Sequence, residues 1–487
     1  MSSRPLRILQ VGTIEAGGGA ASVAANLARG YRARGCEAWM AVGQKSSGDP
    51  GVFLIADDDG AIWRVTGYLA VQKRLRQMAS RFPGAGWGSL GRLLRLTTHP
   101  RALVEQYMGR EDFEFPGTYG LLDLPPSRPD LVHCHNLHGG YFDLRALPWL
   151  TRQVPTVMTL HDAWPIGGHC AHSFDCERWK TGCGDCPDLT IEPPIRRDAT
   201  ADNWARKRDI YARSRLYVSA PSRWLMRKVE QSTLAPAVKG ARLIPNGVDL
   251  SVFRPADKRS VRDAVGIPQD ALVLLTCSHR GSPWTDQQTL RSAVGLIAAR
   301  TSGRSVLFIA LGNDAAALPV AGADVRFVGY QTEPAAVARY HQAADVYVHF
   351  ARADTFPSTI LEALACGTPV VATAVGGIPE QIRAGEVDAV YSKTLARLEH
   401  ATGMLVPAGD AGAAAEAVVA LLTNSEPRRL LGENAVRDVR ERFDLNQQVE
   451  CYLAWYRTII GDWHRHAMSD SNEAPARATG ESRLAMD

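Results

Sequence analysis

Asp354-Thr-Phe-Pro-Ser-Thr-Ile-Leu-Glu362, running into Ala-Leu-Ala-Cys-Gly-Thr-Pro-Val-Val371, sets two carboxylates eight residues apart across a strand-to-helix junction. The apolar run Asp345 to Phe350 reads as a buried parallel strand. Ser358 to Cys366 reads as a short helix capped by Ser358 and closed by Gly367, and Pro369 to Thr373 as the next strand. In that layout the backbone N–H groups of Ser358 and Thr359 lie at a helix N-terminus, where the macrodipole and unpaired donors favour a phosphate. Glu362, one turn further in, can reach a ribose diol, and Asp354 lies at the mouth of the crevice where a sugar would sit. An ordinary strand-loop-helix with acids on its solvated rim fits the same spacing.

Outward from this stretch, one theme occurs twice. Arg7 to Ile14 is a strand, Gly17, Gly18 and Gly19 a loop, Ala20 to Arg34 a helix with Val23, Leu27 and Tyr31 on one face, and Ala38 to Val42 a second strand. Further strands read at Leu131 to Cys134, Thr156 to Leu160, Leu216 to Ala220 and Arg242 to Ile244. The turn formers of Ile244-Pro-Asn-Gly-Val-Asp-Leu-Ser-Val-Phe-Arg-Pro255 punctuate the chain. A second series follows at Leu272 to Cys277, Val306 to Leu311, Val325 to Val328, Val346 to Phe350 and Pro369 to Thr373. Two doubly wound α/β sheets joined by a linker is the economical reading. Asn446 to Ile460 has the helical period, and residues 465–487 lack one and read as a disordered tail.

The opening stretch resembles the nucleotide-sugar signature of the retaining family 4 (group 1) glycosyltransferases, Glu-x-Phe-Gly-x-x-x-x-Glu followed by Ala-x-Ala-x-Gly-x-Pro-Val-Val. Asp354 stands where the family has its first Glu and Pro357 where it has Gly, whereas Glu362 matches. Ile-Pro-Asn-Gly-Val-Asp with Phe253 and Pro255, and Pro221-Ser-Arg-Trp224, are similar to other family segments, so the resemblance spans roughly residues 5 to 460. It implies GT-B architecture, two Rossmann-like domains facing a cleft. The acceptor domain is expected at 1–245, the nucleotide-sugar domain at 246–442, and a helix crossing back at 443–464. The implied activity is retaining transfer from a UDP- or GDP-sugar donor to a glycan or polyprenyl-diphosphate-linked acceptor, with no catalytic cofactor. Glu362 would hold ribose, Asp354 and His161 would contact the sugar, and Gly329 and Tyr330 would border the base. The glycine loop would approach the donor diphosphate; without the resemblance, it reads equally as a tight turn. In place of the family's Gly-Arg and Lys-Gly cations, Cys277-Ser-His-Arg280 supplies Arg280 as a diphosphate cation, and Thr285 or a neighbour occupies the lysine position. A nucleotide-sugar epimerase on the same fold and a non-catalytic GT-B partner are the alternative readings.

Two strand ends carry histidines, His133-Cys-His135-Asn-Leu-His138 and His161-Asp162. Singly, each fits a hydrogen-bonded packing residue; the resemblance favours His161 beside the transferred sugar, with Asp162 orienting its imidazole. Directly after, within 168–188, Cys170, Cys176, Cys183 and Cys186 have the composition of a structural tetrathiolate zinc site, with buried thiols or a redox pair as the other readings. Similar loops occur in a family subgroup of exopolysaccharide-biosynthesis type.

Composition bounds the rest. A net charge of +4 over 487 residues argues against a nucleic-acid binder. No apolar run approaches the ~18 residues of a spanning helix, and no apolar leader opens the sequence, which points to a cytoplasmic protein. Residues 61–110 hold nine Lys or Arg against Glu105 alone, mixed with Trp63, Tyr68, Leu75, Phe82 and Trp87. That insertion reads as peripheral contact with an anionic membrane or as a helical flap over the cleft.

Overall fold

The computed structural model describes residues 4–55, 100–277, 283–301, 304–312 and 323–472. Residues 61–99 of the basic insertion, Arg280 and residues 473–487 of the expected tail lie outside the described residues.

The first sheet comprises β1 (Arg7–Ile14), β2 (Glu37–Gln44), β3 (Val52–Leu54), β4 (Leu131–Cys134), β5 (Thr156–Thr159), β6 (Leu216–Ala220) and β7 (Val238–Leu243), in the order β3-β2-β1-β4-β5-β6-β7. The second comprises β8 (Leu272–Cys277), β9 (Val306–Leu311), β10 (Asp324–Val328), β11 (Val346–His349), β12 (Val370–Thr373) and β13 (Gly403–Val406), in the order β10-β9-β8-β11-β12-β13. Adjacent strands pair in parallel throughout. Every residue of β4, β5 and β12 is buried, as expected of strands covered on both faces by crossover helices. The strand order reverses between β1 and β4 and between β8 and β11, and such switch points open a crevice at the strands' carboxyl ends. The glycine loop follows β1, His135 follows β4, and Asp354 follows β11.

After β11 the chain enters the helix Ser358–Ala365. Ser358 is its first helical residue, not its cap: Pro357 holds the cap position in an extended conformation, with no side-chain capping bond. A proline fits there because a helix needs no N–H from its entry residue. At the other end Gly367 takes a left-handed φ of +78°, and Thr368 N–H donates to the Ala363 carbonyl at 3.0 Å.

The final helix runs Leu445–Asn472 and lies against the first sheet. Val449, Tyr452, Leu453, Tyr456 and Ile459 pack with Ile8, Val23, Leu27 and Tyr31 in one buried cluster. The helix therefore continues eight residues beyond 464, where a disordered tail was expected to begin. Arg465, Ala467 and Met468 are good helix formers, and extending an existing ladder costs far less than starting one.

Thr355 Oγ1 donates to the His161 carbonyl at 2.6 Å across the two domains. The Glu380 carboxylate accepts from the Arg223 and Trp224 N–H groups, both at 2.8 Å, so an acid of the second domain sits on a helix N-terminus of the first. Leu453→Ala is expected to cost about 2–5 kcal/mol, read as a lowered denaturation midpoint. An unchanged midpoint would contradict the packing of the final helix on the first sheet.

Candidate active site

Between the two sheets' carboxyl ends lies a chamber of about 620 Å3. The first domain lines it with Gly19, Asn136 and His161, the linker with Asn246, and the second domain with Thr285, His349, Asp354, Ser358 and Thr359. The Ser358–Ala365 helix thus presents its N-terminus to the chamber, the arrangement that favours an anion. Asp354 pairs with His349, Nε2 to Oδ2 3.3 Å. Glu362 lies one turn along the helix, its Oε2 3.7 Å from His341 Nε2, and is not on the chamber wall.

Of the glycine loop, Gly19 lines the chamber, whereas Gly17 and Gly18 do not. Gly17 and Gly18 have φ of +90° and +82°, conformations an L side chain rarely adopts. A Cβ on Gly17 would lie 4.0 Å from the Tyr330 hydroxyl, so Tyr330 reaches the glycine loop from the facing domain. Gly329 accepts from Gln331 Nε2 at 3.0 Å, and neither Gly329 nor Tyr330 lines the chamber. Uncharged Thr285 lies on the wall, bridged to Ala351.

The histidines form a connected network. His161 Nε2 lies 2.8 Å from His135 Nδ1, and His135 Nε2 lies 2.5 Å from Gln10 Oε1. With Gln10 Oε1 accepting, neutral His135 donates from Nε2 and accepts from His161 Nε2–H, which leaves His161 Nδ1 as an acceptor. Burial pushes His161 down to about 4 and carries His133 and His135 well below the usual histidine range. Asp162, expected to orient His161, instead binds His138, Oδ2 to Nε2 2.8 Å. Adjacent residues at the end of a strand point apart, so Asp162 meets the neighbouring loop. Burial opposes the His138 charge, yet the Asp162 carboxylate outweighs it and raises His138 above its ordinary value.

The thiol loop does not form the expected tetrathiolate set. Cys186 Sγ lies 3.5 Å from His169 Nε2, yet among the described residues no group of three or more His, Cys, Asp or Glu is placed to hold a metal ion. Burial holds Cys170 up to about 12 and Cys183 to about 11. Two lysines tie the loop down. Lys207, wholly buried, binds Glu111 at 3.0 Å and the Trp164 and Gly167 carbonyls at 2.8 and 3.0 Å; Lys228 binds Ser173 Oγ at 2.9 Å and lies 4.6 Å from the Trp179 ring centroid.

Residues 17–252 match a family model for Glycosyltransferase Family 4, and residues 271–424 one for Glycosyl transferases group 1. The chain is built of family 4 and group 1 glycosyltransferase domains. These are domains of enzymes, and the two parallel-sheet units are those of GT-B glycosyltransferases. The chain is 28% identical over 256 residues to a putative colanic acid biosynthesis glycosyl transferase, WcaC, of Escherichia coli K12, covering 50% of this chain and 60% of that protein. It is 30% identical over 331 residues to D-inositol 3-phosphate glycosyltransferase 2 of Catenulispora acidiphila, covering 64% of this chain and 66% of that one. In both cases the match spans less than two thirds of the relative. The fold is similar to that of Anabaena HepE in complex with UDP, at a TM-score of 0.55 and 17% identity, covering 92% of this chain and all of that one.

Trp284, Asn246 and His349 on the chamber wall were not singled out in the sequence; the strand-end position of His349 was the available signal. Because His133, His135, His161 and His172 are held neutral while the unfolded chain protonates them near pH 6.5, the unfolded state binds more protons below that pH. Stability is therefore expected to fall from pH 7 to pH 5, by up to about 1.4 kcal/mol per pH unit for each such histidine, partly offset by His138, which acts in the opposite sense. A thermal midpoint that rises on acidification would contradict these protonation states.

Proposed function

We propose that the chain is a retaining glycosyltransferase that moves a sugar from a nucleoside diphosphate sugar to a glycan or lipid-linked acceptor in cell-surface polysaccharide synthesis. The observation that carries this reading is the chamber between the two domains, in which a helix N-terminus faces Asp354 and His161. The Ser358 and Thr359 N–H groups hold the departing diphosphate, and Glu362 holds the ribose hydroxyls. Asp354 and the Nδ1 of His161 accept from hydroxyls of the transferred sugar. Gly19 approaches the diphosphate from the other domain, with Gly17 and Gly18 shaping that turn, and Arg280 supplies a cation. Gly329 and Tyr330 border the base.

As the bond from the anomeric carbon to the diphosphate breaks, the acceptor oxygen bonds that carbon on the same face, and its proton passes to the departing diphosphate. No protein nucleophile or metal is needed for that balance. The relative named for colanic acid biosynthesis supports the polysaccharide role, and the UDP of the HepE complex supports a nucleotide-sugar donor. No described helix is long and apolar enough to cross a membrane, and a peripheral role at the cytoplasmic face rests on the composition of residues 61–110.

Nucleoside diphosphate release from UDP-, GDP- and ADP-sugars, with and without bacterial membrane lipid extract, tests the reading. Acceptor-dependent release from one donor class is expected. Nucleotide binding without release from any donor would contradict it and favour a non-catalytic partner. Glu362→Ala is expected to lower kcat/KM for the donor by about a hundredfold while the denaturation midpoint stays unchanged, the scale of lost hydrogen bonds to a charged group. Full activity in that variant would remove Glu362 from the site.

A further inference from the structure

Beside the nucleotide chamber, and sharing His161, Trp284 and Asp354 with it, lies a second cavity of about 280 Å3. Its remaining wall is built partly by the thiol loop and the segment that returns from it, with His172 and Glu192, and partly by the His138–Asp162 pair. Transfer needs the two substrates to meet at one point, and the wall common to both cavities holds the two side chains that face the transferred sugar in the reading above.

The lining has a definite chemistry. His172 stacks on Trp224, with ring centroids 5.1 Å apart and planes 14° apart, and the Trp284 ring lies 6.3 Å from His172. Flat rings of this kind suit the C–H faces of a sugar, and the carboxylates of Asp162, Asp354 and Glu192 accept from hydroxyls. No lysine or arginine stands among the described residues that line the cavity, so a phosphate entering it would meet three acids, against which stands His138, already paired with Asp162. His172 is only 7% exposed, and its Nδ1 accepts from the Phe174 N–H at 2.9 Å. Burial holds this ring neutral, down to about 4, so its one proton sits on Nε2, which has no hydrogen-bond partner among the described residues.

We propose that this cavity is the acceptor subsite and that it takes a neutral pyranose, the terminal sugar of a glycan, in preference to a phosphate-bearing polyol. The inference rests on the glycosyl-transfer reading and narrows its acceptor class. The thiol loop then has a functional reason to be held rigid by Lys207 and Lys228: it is one wall of the acceptor site.

Saturation-transfer NMR of the full chain with a panel of methyl hexopyranosides, and with inorganic phosphate and an inositol monophosphate as competitors, tests it. Nucleoside diphosphate binding is measured separately by calorimetry, and both are repeated on Glu192→Arg. The expected result is that at least one methyl hexopyranoside binds and neither phosphate competes. Its affinity should fall by about tenfold or more in Glu192→Arg, the scale of a lost charge-assisted hydrogen bond, with nucleoside diphosphate affinity retained. A chain that binds nucleoside diphosphate but no pyranoside overturns the subsite alone. So does competition by inositol phosphate, or pyranoside binding untouched in Glu192→Arg. A chain that binds no nucleoside diphosphate overturns the transfer reading and this inference with it.

Discussion

The hydrogen bond between Tyr456 and His133 joins the last helix of the chain to the floor of the site. His133 is fully buried at the end of β4, with Nδ1 2.6 Å from the Tyr456 hydroxyl and Nε2 2.6 Å from Thr159 Oγ1 on β5. Tyr456 continues to Tyr31 at 3.0 Å, and Thr159 to Tyr452 at 3.0 Å. In so dry a place each polar atom needs its partner, because an orphan forfeits about 1–3 kcal/mol of solvation. The final helix therefore does more than cover apolar surface: its two tyrosines complete the bonding of the strand ends. Two residues further on, His135 orients His161, one route by which the order of the first sheet reaches the chamber.

The two cavities differ in how their walls are held. The larger cavity relies on backbone: a helix N-terminus and a glycine loop placed by parallel strands. The smaller cavity relies on side chains anchored from behind, chiefly Lys207 inserted among carbonyls of the loop after His161, and Lys228 under the aromatic rings. A buried lysine with three acceptors fixes a loop that has little regular structure of its own, and the four cysteines of that loop are unpaired and half-buried. The two walls meet where Thr355 binds the His161 carbonyl, which ties the relative placement of the domains to the wall the two cavities share.

Much of the fold was legible because parallel strands covered on both faces must be apolar runs, and β1, β4, β8, β9 and β12 announce themselves that way. Three-residue β3 is too short to stand out, and β13 opens on Gly403, which leaves only Met-Leu-Val as its apolar run; neither was expected. The Asp354–Glu362 stretch could be placed because strand, turn and helix positions follow from local sequence. The partner of Asp162, the anchoring lysines and the stacking of Trp284, His172 and Trp224 could not, because each joins residues far apart in the chain. The cysteine spacing pointed to a metal, whereas the fold packs those thiols around a loop held by cations. Pro357 replaces a family glycine at a position whose N–H the helix does not use, so the substitution leaves the helix intact.

The central claim is that a nucleoside diphosphate sits on the N-terminus of the Ser358–Ala365 helix, with its sugar between Asp354 and His161. A crystal structure of the chain with a bound nucleoside diphosphate tests it most directly. The account predicts phosphate oxygens within about 2.7–3.2 Å of the Ser358 or Thr359 backbone nitrogens and the ribose against Glu362. A nucleotide bound elsewhere, with that helix N-terminus left to solvent, would contradict it.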